Sequence, residues 1–166
     1  MAQPVQFLQL QEVLQRLFSE WQTLTMMIRE DRPQQGDSVL VDIFGDQVDN
    51  WLGLLTEAGS ALGTPARSRR QAAVQLSACH ALCNRVRFLY IDLVSYDRMQ
   101  SFVAFGREQG GEWQQWTQAI KDALEASQET LFQLDSALQE TWHDLLMGFS
   151  EAENLSRIDK SASLSK

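Results

Sequence analysis

Long apolar runs are missing: none approaches the roughly 20 residues needed to cross a bilayer, which excludes a transmembrane helix. The opening MAQPVQFLQLQ has neither a basic n-region nor a continuous apolar stretch, so no secretory signal is expected and the chain reads as cytoplasmic. Interruptions are also scarce, with three prolines and nine glycines in 166 residues, and disorder is expected only at the ends. Two cysteines, Cys79 and Cys83, are too few to staple a fold. At this length roughly 68–70% of the unfolded surface can be buried without such help. Bases are outnumbered, 14 against 22 acids, for a net charge of −8. A nucleic-acid backbone or an anionic lipid surface is therefore a poor general partner.

What is present is a helical apolar rhythm. Leu10, Leu14, Leu17, Trp21, Leu24 and Ile28 follow at alternating spacings of four and three, a coiled-coil seam, and predict a first helix from Val5 to Glu30. The stretch DRPQQGD, Asp31 to Asp37, closes it. Asp37 or Ser38 is the expected N-cap of a second helix carrying Leu40, Phe44, Val48, Trp51, Leu55, Ala58 and Leu62. Gly45, Gly53 and Gly59 weaken that helix or mark close packing. Gly63, Thr64 and Pro65 read as a stop followed by an N-cap and a proline at N1, so a third helix is expected from Pro65 to Glu108 without a break, about 60 Å long. Gly110 and Gly111 separate it from a fourth, with Trp113, Trp116, Ile120, Leu124, Ser127, Leu131, Leu134, Leu138, Thr141, Leu145 and Phe149 on its seam.

Four such helices with short connections predict an all-α fold. The expected form is an elongated up-down-up-down four-helix bundle whose two long C-terminal helices make a hairpin. The bundle is expected over residues 1–153, with 154–166 as a flexible tail. A turn at Gly110 sets opposite each other residues whose numbers sum to about 220. Charge fits this arrangement. Helix three carries seven arginines against Asp92 and Asp97, whereas helix two has five acids and no base, and helix four has nine acids against Lys121. Arginines of helix three are thus expected to pair with acids of helices two and four, choosing neighbours more than adding stability.

Cys79, His80 and Cys83 in C-H-A-L-C form the sharpest chemical cluster, since thiolates and imidazoles one turn apart suit zinc. The hairpin register sets His80 opposite Glu140, and His143 completes E-T-W-H, so every cysteine and histidine could fall at one level. Residues 79 and 80, however, diverge by about 100° around the helix. A di-iron site fails for want of a second E-x-x-H. Cys79 and Cys83 also lie on the stripe 72, 76, 79, 83, 86, 90, 93, where packed core thiols are commonplace. No cofactor or metal is therefore expected. Asp92, Ser95, Asp97 and Arg98 do not form a paired-carboxylate site, and G-R-E-Q-G-G lacks the Lys, Ser or Thr of a phosphate loop. Tyr96, Phe102, Phe105, Trp113 and Trp116 are expected to build an aromatic plug at the hairpin end.

With no catalytic constellation, the sequence reads as a non-enzymatic helical protein–protein interaction module: an adaptor, a structural subunit or a self-associating scaffold. Surplus apolar side chains on helix three and at the hairpin end, Phe88, Val94, Phe102, Phe105, Trp113 and Trp116, are its expected contact residues, with Arg67, Arg69 and Arg70 as a docking site for an anionic partner. The expected partner is protein, as a homo-oligomer or a larger complex. Two alternatives come from other classes. One is a thiol- or metal-dependent sensor using Cys79, His80, Cys83 and His143. The other is an amphipathic-helix coat on an apolar or lipid surface, suggested by five tryptophans and the Met26, Met27 pair.

Overall fold

The computed structural model describes residues 7–33 and 39–164, apart from the side chains of residue 40 and of residues from 148 onward. Among the described residues every regular element is a helix. The first helix, α1 (Leu8–Arg29), buries Leu10, Val13, Leu14, Leu17, Trp21, Leu24 and Ile28, the seam read from sequence with Val13 added. The expected start at Val5, the caps Asp37 and Ser38, the Leu40 side chain and Phe149 lie outside the described residues and side chains. Helix α2 (Val39–Ala61) buries Val41, Phe44, Val48, Trp51, Leu54, Leu55 and Ala58.

The third helix departs from expectation at both ends. It starts at Arg69 instead of Pro65, because Ser68 is extended and its hydroxyl accepts the Gln71 N–H at 3.1 Å. The Gln71 side chain reaches back to accept the Arg67 N–H at 2.9 Å. This S-x-x-Q pair is a variant of the capping box in which the glutamine takes the N–H one residue before the cap, and it overrides the threonine and proline that precede it. The helix also does not run on to Glu108. Helix α3 ends at Leu93, Val94 caps it, and after Ser95, with φ −53° and ψ 146°, a separate helix α4 (Tyr96–Gln109) begins. Ser95 provides the carbonyl of the first turn, accepting the Met99 N–H at 3.0 Å, and Asp97 places a carboxylate at the positive end of α4. Asp92 and Arg98 bridge the break at 3.4 Å.

Gly110 and Gly111 then turn the chain with φ of 70° and 56°, left-handed values that cost an L side chain about 1–2 kcal/mol each. Helix α5 (Glu112–Leu164) follows and continues past Asn154 as helix. Helix α1 packs on α2 and α5, α2 on α3, and α4 on α5, while the α3–α5 seam is the thinnest of these. Between the last two stretches of chain, His80 meets Trp142, Arg87 meets Asp135, Tyr90 meets Leu124, and Gly106 meets Thr117. One apolar cluster, from Phe7 to Leu138, forms the core.

Candidate interaction surface

Two aromatic layers fill the interior. In the first, Trp21 of α1 lies 4.8 Å from Trp51 of α2 and 6.0 Å, stacked, from Tyr90 of α3. Their polar ends meet α5: the Trp21 Nε1–H donates to Ser127 Oγ at 3.1 Å, and both Ser127 Oγ and the Tyr90 hydroxyl donate to the Leu124 carbonyl, at 2.8 and 2.6 Å. The Tyr90 hydroxyl thus fastens α3 to α5 at the Leu124 carbonyl, and Trp21 fastens α1 to α5 through Ser127, whose own hydroxyl bonds back within α5. Burial pushes the Tyr90 hydroxyl above its ordinary pKa, with the nearby Glu125 carboxylate adding to the rise and Ser127 opposing it.

The second layer lies toward the Gly110 turn. Phe44 of α2 stacks on Phe102 of α4 at 4.3 Å, and Phe102 touches Trp116 of α5 at 5.9 Å. Trp113 packs edge-on against both Phe105 and Trp116 at 5.4 Å. The Trp116 Nε1–H donates to the Met27 carbonyl at 2.8 Å, tying α5 to the end of α1. Gly106 makes this layer possible, since a Cβ there would sit 2.0 Å from Thr117 Oγ1. The aromatic plug is thus formed with Phe44 in place of Tyr96, which is 75% exposed beyond the α3–α4 break.

This packing sorts the expected contact residues. Phe102 is fully enclosed, Trp113 and Trp116 are buried, and Val94 and Phe105 are half-buried against the core, so these side chains serve the interior. Phe88 alone among the expected apolar contacts stands in solvent, 74% exposed. Sequence reasoning missed its counterpart, Phe132 of α5, 71% exposed. The sign was present, because Phe132 stands beside the Leu131, Leu134, Leu138 seam instead of on it. Beside the break an open cleft of about 600 Å3 is lined by Val94, Tyr96, Met99, Val103, Lys121 and Leu124, among others, with Lys121 held 3.6 Å from Glu125.

The charge pattern also resolves differently from expectation. The acids of α2 pair with α1 and its following turn: Arg29 with Asp46 and Asp49, and Arg32 with Asp42 at 2.6 Å. Of the arginines expected to pair from helix three, Arg87 reaches Asp135 on α5 at 3.4 Å. Arg67 precedes the α3 cap, and Arg69 and Arg70 occupy its first turn, with no acid in that turn. Arg67 and Arg70 are exposed and Arg69 is half-buried.

Cys79 and Cys83 are buried free thiols with sulfurs 3.9 Å apart. The thiol–thiol hydrogen bond and burial raise Cys83 far above its ordinary range, while the same bond lowers Cys79 against the opposing effect of burial. His80 meets Trp142 instead of the expected Glu140: its Nδ1 accepts the indole N–H at 3.2 Å. His143 and Glu140 are exposed. Among the described residues, no group of three His, Cys, Asp or Glu side chains is arranged to hold a metal. The four residues of the sensor alternative are therefore not gathered into one site. No helix of the described residues is long and apolar enough to cross a membrane. No protein-family model, no curated protein and no solved structure matches this chain.

Proposed function

We propose that this chain is a non-enzymatic helical interaction module of the cytoplasm, acting through protein partners and not through nucleic acid, with residues 1–153 as its single domain. The observation that carries the reading is the contrast between a core already filled by two aromatic layers and the large apolar side chains Phe88 and Phe132 left outside it. The largest exposed apolar patch of a protein is often a contact site. The scaffold that presents it is an elongated up-down-up-down bundle, α3 and α4 together forming one long arm of a hairpin with α5. Supporting this topology are the pairs 80–142, 87–135, 90–124 and 106–117, whose numbers rise on one arm as they fall on the other.

Two measurements test the reading. Cysteines in place of Arg87 and Asp135, in a Cys79→Ser, Cys83→Ser background, should crosslink on oxidation, and failure there and within a turn of it would refute the hairpin. Purified protein should self-associate at micromolar concentration or retain a specific protein from host extract, with retention lost in Phe88→Glu, Phe132→Glu. A monomer that retains nothing would refute the interaction reading.

A further inference from the structure

We infer that the outer face of α3, centred on Phe88, is a two-fold homodimer contact in which α3 of one copy lies antiparallel against α3 of a second copy. The inference rests on the interaction reading above and names its partner.

Val86 and Tyr90, two residues to either side of Phe88, are buried, so Phe88 points directly away from the core. The contacts Arg87–Asp135 and Tyr90–Leu124 bracket Phe88 and Phe132 and set them at one level on neighbouring helices. Ile91, one turn from Phe88, is 52% exposed. Together these three side chains present roughly a few hundred Å2 of apolar surface, within the range of the largest patch an ordinary monomer carries. A standard interface buries about 800 Å2 per partner, so this patch supplies the apolar centre and leaves the remainder to a polar rim.

The charges around Phe88 choose the occupant. Arg85 stands three residues before Phe88 and Asp92 four after, both exposed on the same outer stripe of α3. Antiparallel pairing about Phe88 therefore faces each Arg85 with Asp92 of the other copy, giving two opposite-charge contacts from one symmetric operation. Isologous contacts require this self-complementarity, in which residue i meets j and j meets i. Arg85 makes no ion pair among the described residues, and Asp92 has only the exposed 3.4 Å contact with Arg98. A parallel arrangement of the same helices would set Arg85 on Arg85 and Asp92 on Asp92, with repulsion at both.

Sedimentation equilibrium of the full chain across micromolar concentrations tests the proposal. Wild type should reach twice the 18.9 kDa of the chain. Phe88→Glu should raise the dissociation constant about thirty-fold or more while helical circular dichroism and melting temperature stay unchanged. Arg85→Asp and Asp92→Arg should each weaken the dimer, and the double reversal should restore it. Phe132→Glu, on the flank of the contact, should weaken it less than Phe88→Glu. A dimer indifferent to Phe88→Glu, or one that the double reversal fails to restore, would overturn this contact while leaving self-association intact. A wild-type monomer would overturn it as well, and the broader interaction reading would then stand or fall on capture of a different protein.

Discussion

Phe88 of α3 and Phe102 of α4 lie fourteen residues apart, yet one is three-quarters exposed and the other fully enclosed. The difference comes from the helix break between them. Around Phe102, α4 approaches α5 so closely that Gly106 has no room for a methyl group, and the aromatic rings of three helices fill the space. Around Phe88, α3 meets α5 along a thinner seam held by polar contacts, His80 with Trp142 and Arg87 with Asp135, and the apolar side chains beyond that seam face outward. One region encloses its aromatics in the core; the other leaves Phe88 and Phe132 in solvent.

The largest effect should come from breaking the enclosed region. Phe102→Ala removes a ring packed against Phe44 and Trp116 and should cost about 3–5 kcal/mol, read as a fall in the denaturation midpoint. Next comes the close approach. Gly106→Ala should destabilise by about 1–3 kcal/mol because the new Cβ drives into Thr117, whereas Gly53→Ala, with nothing within 4 Å, should stabilise by about 0.5–1 kcal/mol. Equal shifts in the two alanine variants would remove the physical basis of the comparison.

Those two glycines also show how far the sequence could be read. The apolar seams of α1, α2 and α5 were legible because spacing alone sets which face of a helix is buried. Whether a glycine marks close packing was not. Gly53 and Gly59 are open and Gly45 has Ile28 Cγ2 at 3.3 Å from its would-be Cβ, but Gly106, which decides the tightest contact, carries the same local pattern as the others. The α3–α4 break was missed because no proline or glycine marks it; Ser95 followed by Asp97 was the available sign, an N-cap with an acid in the first turn. For the candidate surface, off-seam Phe88 was readable. Phe102 was not separable from it, because its enclosure depends on a partner, Phe44, that is remote in sequence.

Smaller effects sharpen the polar side of the first aromatic layer. Tyr90→Phe removes a buried bond to the Leu124 carbonyl, which still accepts from Ser127, and should cost about 0.5–1.5 kcal/mol. Its pH dependence has a definite sign. The folded-state pKa of Tyr90 is raised, chiefly by burial, so above pH of about 10 the unfolded chain releases this proton while the folded chain retains it, and stability falls as pH rises. Wild type should therefore lose more stability in that window than Tyr90→Phe in urea titrations; parallel losses would contradict the assignment. Least disruptive is a probe of the thiols. Native protein at mildly alkaline pH should react with a maleimide or disulfide reagent far more slowly than unfolded protein, since both sulfurs are buried.

One glutamate placed at each of the two phenylalanines, with thermal unfolding and solution mass measured on the same samples, separates an enclosed aromatic residue from one proposed to make contact. Phe102→Glu should lose cooperative helical unfolding altogether. Phe88→Glu should melt with wild type and sediment as a monomer of 18.9 kDa at concentrations where wild type should sediment as a dimer. A folded, stable Phe102→Glu protein, or a Phe88→Glu protein that unfolds like a core variant, would contradict the account.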